Sequence, residues 1–216
     1  MIKKLGLGLI FMLLWRLTTA QSGILIADYL TNQASDSLIF ENIARPELPL
    51  HHLYFQVDSA SQELWRVESD GQRRLESKNQ EGLKLKAFGF ANQEYVFTNP
   101  LLLYPTTFEK YKIYNSKTPY KTGETAGTLT LEVNAQGFET AQTPLRNFTD
   151  CLKIETKLVF TEKNKSVLVI EIIEWYAKSI GLVKIIKNTY QGNSRATIAG
   201  LLKKAQLSGK ALDGRK

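Results

Sequence analysis

The chain has 216 residues and a formal net charge of +7, from 28 lysines and arginines against 21 acidic residues. Its hydrophobic content of 43% is enough for a packed core and excludes a disordered chain. The basic residues are spread along the sequence, whereas a nucleic-acid-binding protein carries them as a stripe or cluster. We therefore expect no nucleic acid among the partners.

The first twenty residues have the pattern of a secretory signal peptide. Two lysines precede an unbroken apolar run over residues 5–15, and small residues lead up to Gln21, which predicts cleavage after Ala20. The alternative is a retained membrane anchor, but a spanning helix needs about 20 apolar residues and Arg16 ends this run early. We expect an exported bacterial protein, periplasmic or extracellular, that meets the membrane only through the signal peptide before cleavage.

Residues 21–216 are expected to form a single β domain. Without the signal peptide, 25 basic residues stand against 21 acidic ones, a net charge of +4. Cys151 is the only cysteine, so an internal disulfide is excluded and the core alone must stabilise the fold.

Short apolar stretches recur along the first two thirds of the chain at the spacing typical of an all-β fold. They predict strands over residues 24–30, 38–43, 52–57, 63–68, 83–90, 95–97, 108–114, 128–133 and 138–143. Asp70 and Gly71 lie between two strand-like runs and predict a tight hairpin turn. Residues 45–50 are expected to form a loop, residues 117–127 a longer mobile loop and residues 134–137 a turn.

The C-terminal third has the clearest strand pattern. Residues 152–160 alternate between apolar and charged side chains, which predicts a strand with one wet face. Residues 166–177 are apolar on both faces and residues 182–190 follow a turn, so the three segments predict an antiparallel meander. We favour a final strand over residues 202–207. The helical spacing of apolar residues between 198 and 205 leaves a helix open within residues 197–207.

Two blocks of sequence resemble a loose group of exported bacterial proteins of unknown function. Residues 148–155 read Phe-Thr-Asp-Cys-Leu-Lys-Ile-Glu, and residues 174–184 read Glu-Trp-Tyr-Ala-Lys-Ser-Ile-Gly-Leu-Val-Lys. Members of that group usually carry a glycine near position 179, where this chain has Ser179. The resemblance implies a curved antiparallel sheet, similar in outline to the half-barrels of periplasmic lipoprotein carriers, with a concave apolar face. The expected fold is therefore all-β, a single curved antiparallel sheet (half-barrel or open barrel) with long loops and a C-terminal meander.

The residue types that carry catalysis do not form a recognisable set. His51 and His52 are the only histidines, and as neighbours on a strand they point to opposite faces, so we expect surface positions and no metal site. Glu171 and Glu174 also face opposite sides and are expected to be solvated. Cys151 is expected to be a structural thiol. We predict no catalytic residue, no metal and no cofactor, and hence a protein that is not an enzyme.

The first functional hypothesis is binding of an apolar or amphipathic ligand, such as a lipid or lipidated peptide, in the curved sheet. It rests on the strand that is apolar on both faces and on the resemblance. The predicted ligand-binding residues are Leu168, Ile170, Ile172, Trp175 and Tyr176. The alternative is a structural or interaction module of a bacterial cell-envelope assembly, with an envelope protein as partner.

Overall fold

The computed structural model describes residues 23–30, 33–59 and 63–212. The predicted signal peptide lies outside the described residues. The strands are β1 (Ile24–Leu25), β2 (Ser37–Asn42), β3 (His51–Val57), β4 (Leu64–Glu68), β5 (Arg73–Asn79), β6 (Gly82–Phe90), β7 (Gln93–Pro105), β8 (Thr107–Phe108), β9 (Ile113–Thr122), β10 (Thr125–Gln142), β11 (Asn147–Glu162), β12 (Lys165–Ala177), β13 (Gly181–Gln191), β14 (Ser194–Leu207) and β15 (Lys210–Ala211). One 3₁₀ helix, Ile26–Asp28, follows β1. None of the helical structure in the described part of the chain is long and apolar enough to cross a membrane.

The main sheet closes on itself. Its order is β13-β12-β11-β10-β9-β7-β6-β5-β4-β3-β2-β14, and β14 also pairs with β13, so twelve strands form a closed antiparallel barrel. The all-β class is therefore confirmed, but the open half-barrel is wrong. Closure occurs because β14 is long enough to pair with β13 through its first half and with β2 through its second half.

Side-chain alternation divides each strand between an inner and an outer face. The inner side chains are packed together across the barrel. At one place Phe160 of β11 stacks against Tyr95 of β7, with ring centroids 4.7 Å apart, and against Phe88 of β6 at 5.5 Å. Aromatic rings at these separations gain both apolar burial and favourable edge contacts.

A small second sheet covers one mouth of the barrel. β1 pairs with β8, and the 3₁₀ helix that follows β1 buries Ile26. The Ile26 amide donates to the Thr106 carbonyl at 3.0 Å, and Phe108 is completely buried beneath this cover. This end is called the covered mouth below.

The predicted C-terminal meander is confirmed. β12 and β13 match the predicted segments 166–177 and 182–190, and they pair antiparallel with β11 and with each other. The turn at Asp70 and Gly71 joins β4 to β5 as expected. Residues 202–207 are strand, so the helical alternative is wrong.

Other predicted elements are wrong in instructive ways. Residues 117–127 are not a mobile loop, because their threonines and glycines belong to the hairpin of β9 and β10. Residues 134–137 do not turn the chain. They form an irregularity in the pairing of β10 with β11, where Gly137 has a φ of +111° that favours glycine. The predicted strand 24–30 stops after Leu25, and the predicted strand 108–114 is broken between Phe108 and Ile113.

Candidate functional site

Six charged side chains point into the barrel and form what we call the buried charge cluster. They come from two opposite sides of the ring of strands. Their members are Arg66 and Glu68 of β4, Arg74 and Glu76 of β5, Glu174 of β12 and Lys187 of β13. Each pair on β4 and on β5 is separated by one residue, so alternation directs both members to the same face.

Glu174 is the centre of the cluster and is 0% exposed. One of its oxygens accepts hydrogen bonds from Arg66 Nη2 at 2.7 Å and from Arg74 Nη2 at 3.2 Å. Its other oxygen accepts a hydrogen bond from the Tyr104 hydroxyl at 2.6 Å. The carboxylate therefore joins β12 to β4, β5 and β7 across the interior.

The pKa of Glu174 is set by two opposing effects. Burial by itself would raise it, but the guanidiniums of Arg66 and Arg74 outweigh burial and lower the pKa from 4.5 to about 2. Burial next to this carboxylate also raises the pKa of the Tyr104 hydroxyl. Glu174 is thus ionised and Tyr104 protonated at neutral pH, which suits fixed hydrogen bonds rather than proton transfer.

Lys187 forms a second centre of the cluster. Its ammonium donates to Glu68 and, at 2.7 Å, to Asp70 in the turn between β4 and β5. Burial would raise the pKa of Glu68, but Lys187, His51 and Arg66 together hold it well below its usual range. Arg66 Nη2 lies 3.3 Å from Glu68, which links this centre to Glu174.

Glu76 differs from the other two buried glutamates. Its nearest charged partner is Arg74 Nε at 3.5 Å, and burial raises the pKa of its carboxyl. It also borders a small cavity of about 80 Å³ together with Leu30, Leu64, Leu83 and Lys78. Without Glu76, the three cations of the cluster are already balanced by Glu68, Asp70 and Glu174.

The five predicted ligand-binding residues are all buried, and they are divided between two faces of β12. Leu168, Ile170, Ile172 and Tyr176 point into the barrel, where Tyr176 accepts a hydrogen bond from Arg66 Nη1 at 3.4 Å. Trp175 lies on the outer face and is covered by lysines. Lys184 and Lys153 lie 4.1 Å and 5.5 Å from its ring, and its indole nitrogen donates to Glu139 at 2.9 Å.

The outer face of the meander carries an open cleft of about 270 Å³. It crosses β10, β11 and β12, and its lining is mostly polar. The lining residues are Glu132, Asn134, Glu155, Thr156, Lys157, Glu171, Ile172 and Ile173. Ile172 is thus the one predicted ligand-binding residue that borders this cleft. Lys157 lies 3.0 Å from Glu171, so part of the charge in the cleft is already paired.

The remaining candidate residues have structural surroundings. His51 and His52 do face opposite sides, but the surface position expected for His51 is wrong, because it is buried 3.4 Å from Glu68. Cys151 is buried and its thiol donates to the Phe148 carbonyl, while burial raises the thiol pKa to about 11. Within residues 23–30, 33–59 and 63–212, no group of three or more histidine, cysteine or acidic side chains is placed to hold a metal ion.

The sequence analysis missed most of the buried charge cluster. Glu174 was expected to be solvated, which is wrong, and the inward direction of Arg66, Glu68, Arg74 and Glu76 was not anticipated. The signal was present in β4 and β5, where the charged face alternates with Trp65, Val67 and Leu75. A polar face on a strand is usually the solvated one, and here it is the inner one.

No protein-family model matches the chain, and no curated protein is significantly similar to it. Two solved structures show a partial likeness. One is a proposed lipoprotein from Parabacteroides distasonis, with 13% identity and a TM-score of 0.37 over 80% of this chain and 95% of the other. The second is a proposed exported protein with a YmcC-like fold from Bacteroides fragilis, with 14% identity and a TM-score of 0.33 over 82% of this chain and 98% of the other. At these TM-scores the likeness carries no argument about function.

Proposed function

We propose that the protein is an exported, non-enzymatic interaction module of a bacterial cell-envelope assembly. The observation that carries the proposal is the closed barrel whose opposite walls are joined through Glu174 and Lys187 by buried ion pairs. Such an interior supports a rigid scaffold that presents its outer surfaces to a partner. It does not suit a carrier, whose walls must separate to admit a ligand of several hundred Å³.

The amino-terminal pattern supports export of this scaffold. Mass spectrometry of the protein from its native host should find a mature chain that begins at Gln21, in the periplasmic or extracellular fraction. Intact residues 1–20 on soluble cytoplasmic protein would contradict the proposal.

Binding of an amphipathic ligand is the second candidate function, and the outer cleft supports it. The cleft combines Ile172 and Ile173 with carboxylates and an ammonium, so one ligand with an apolar part and a polar part would suit it. A fluorescent fatty-acid probe tests this candidate directly. Saturable binding that is weakened by Ile173→Ser and unchanged by Val96→Ser, at an exposed position on β7, would favour the ligand-binding function.

Absence of saturable probe binding would favour the scaffold. The Ile173→Ser variant should then behave like the unaltered protein in the probe assay. Thermal unfolding of both variants provides the control that any lost binding is not lost folding.

A further inference from the structure

Exposed aromatic side chains gather at the covered mouth of the barrel. Tyr111 is 62% exposed and Phe138 is 49% exposed. The Tyr111 amide donates to the Ala135 carbonyl of β10 at 2.8 Å, and the ring of Phe138 lies 6.2 Å from that of Tyr29. Lys110 connects the two, because its ammonium lies 4.6 Å from the Tyr111 ring while its stem passes over Gly137. We call Tyr29, Lys110, Tyr111 and Phe138 the aromatic rim.

The backbone at Tyr111 holds its ring outward. Its φ is +65°, in the left-handed region that a bulky aromatic residue rarely adopts. The conformation costs free energy, and what it achieves is an aromatic ring in solvent beside a lysine rather than a ring in the core. Leu25 and Ile113 are also exposed at this end, so the apolar surface extends beyond the two rings.

The amino-terminal chain enters the barrel at this same mouth. β1 begins at Ile24 and pairs with β8, which leads directly into the loop that carries Tyr111. The apolar run over residues 5–15 ends nine residues before Ile24. Nine residues span at most about 30 Å, so while that run is in a membrane the aromatic rim lies beside the same membrane.

The chemistry of the rim fits the boundary between lipid headgroups and acyl chains. Tyrosine and phenylalanine rings bury apolar area there, and lysines reach outward to phosphate. Besides Lys110, the rim has Lys178 in the turn after β12, which lies 2.9 Å from Asp28 at the base of the cover. Rings and ammonium groups together match an anionic lipid surface better than they match a dry protein interface, which is depleted in lysine.

We propose that the aromatic rim docks the exported protein on an anionic lipid surface of the envelope. The inference rests on the proposed export and names the surface that the scaffold uses. It adds a contact of the mature chain to the expected contact through the signal peptide. The contact is peripheral, because two aromatic rings and a few aliphatic side chains anchor reversibly rather than insert.

Vesicle co-sedimentation of the mature protein purified from its host tests the proposal. Vesicles of phosphatidylethanolamine with phosphatidylglycerol should bind the protein, and vesicles of phosphatidylcholine should bind it less. Tyr111→Ser and Phe138→Ser should each lower partitioning by about tenfold, since each removes one buried ring from the contact. Lys110→Ser should lower binding only to the anionic vesicles.

Tyr54→Ser and Val96→Ser are the matched controls. Tyr54 and Val96 are 37% and 53% exposed on the outer faces of β3 and β7, away from the rim, and their loss should leave partitioning unchanged. Circular dichroism and thermal unfolding show that all variants are folded. Rim variants that bind as well as the controls, or unaltered protein that does not sediment with anionic vesicles, would overturn the proposal.

Two further outcomes separate this inference from others. A concentration-dependent increase in mass that Tyr111→Ser abolishes, without vesicle binding, would assign the rim to a second copy of the chain and contradict the lipid surface. An exported protein with a Gln21 terminus that ignores vesicles would defeat the rim proposal alone. An intact cytoplasmic chain would defeat the proposed function, whatever the vesicles show.

Discussion

At the residue scale, the buried charge cluster is the main determinant of stability that we can test. Its carboxylates have unequal environments. Glu174 has three hydrogen-bond donors, Glu68 has an ammonium and a guanidinium, and Glu76 has one distant guanidinium. Substitutions that remove one charge while keeping the shape should therefore have effects of different size and sign.

Glu174→Gln should destabilise the protein strongly. The change leaves Arg66 and Arg74 without their shared anion, and breaking a buried ion pair from one side costs about 3–5 kcal/mol. Glu171→Gln is the matched control on the same strand, because its pair with Lys157 lies on the outer surface and should contribute about 1 kcal/mol or less. Urea unfolding of both variants measures the difference. Equal losses would show that burial of the ion pair does not matter.

Glu174 also predicts a pH range for acid destabilisation. Its folded pKa of about 2 lies below its ordinary value of 4.5, so its stabilising contribution is complete above pH 4.5 and is lost as the pH falls towards 2. A shift of this size corresponds to about 3 kcal/mol. The free energy of unfolding, measured at steps between pH 6 and pH 2, should decrease through this range. A flat profile would be inconsistent with an ionised Glu174.

Glu76 should behave in the opposite way. Because burial raises its folded pKa, its ionisation disfavours the folded state, and stability falls as the pH rises from its ordinary pKa through the raised one. Glu76→Gln keeps the shape and removes this cost, so the variant should be at least as stable as the unaltered protein at neutral pH. Thermal unfolding at neutral and acidic pH checks the sign. A loss comparable to that of Glu174→Gln would place Glu76 among the essential anions.

At the element scale, β12 illustrates how one strand serves two surroundings. Ile170 is completely buried inside the barrel, whereas Val169 is half-buried on the outer face. The sequence predicted cover on both faces, and the outer face is only partly covered. Trp175 shows the same division, since lysine stems rather than another layer of protein lie over it.

Ile170→Ala and Val169→Ala should therefore differ in cost. Truncation of the inner isoleucine leaves a cavity in a packed interior and should cost about 2–5 kcal/mol. Truncation of the outer valine should cost about 1 kcal/mol or less, because solvent already reaches it. Thermal unfolding, with and without the fatty-acid probe, separates the two effects. A probe that stabilises only the protein with Val169 intact would assign the outer face of β12 to ligand binding.

At the scale of the whole molecule, ion pairs and strand closure join the same two halves. β13 and β14 complete the ring through the backbone, while Lys187 connects β13 to Glu68 and Asp70 through the interior. A cluster of this kind is costly to bury, and Arg66 Nε and Arg74 Nη1 lack hydrogen-bond acceptors among the described residues. We infer that the cluster contributes more to the choice of one register and one closure than to net stability.

A double-mutant cycle on Lys187 and Glu68 tests this inference. Lys187→Met and Glu68→Gln should each destabilise the protein by a few kcal/mol, because each leaves an unpaired buried charge. The double variant should recover part of the loss, with a coupling energy of about 1–3 kcal/mol. Additive losses would mean that the two side chains do not act as a pair. The same cycle on Lys153 and Glu139, a more exposed pair at 3.1 Å, should show little coupling.

Local pattern was sufficient for the parts of the fold that depend on local chemistry. Period-two alternation predicted the C-terminal meander, and the Asp70-Gly71 dipeptide predicted the hairpin turn, because side-chain direction and turn geometry are set within a few residues. The same reasoning predicted that Glu171 and Glu174 point to opposite faces. It also predicted a buried structural environment for Cys151.

Tertiary structure decided everything that depends on which face of a strand becomes the inside. Closure of the sheet depends on the pairing of β14 with both β13 and β2, which are far apart in sequence. Once the ring closes, the polar faces of β4 and β5 lie opposite Glu174 and Lys187, and charges that appear solvent-facing in the sequence become buried partners. A strand carries no local mark of the side on which the chain will later close, so the buried charge cluster follows only from the assembled barrel.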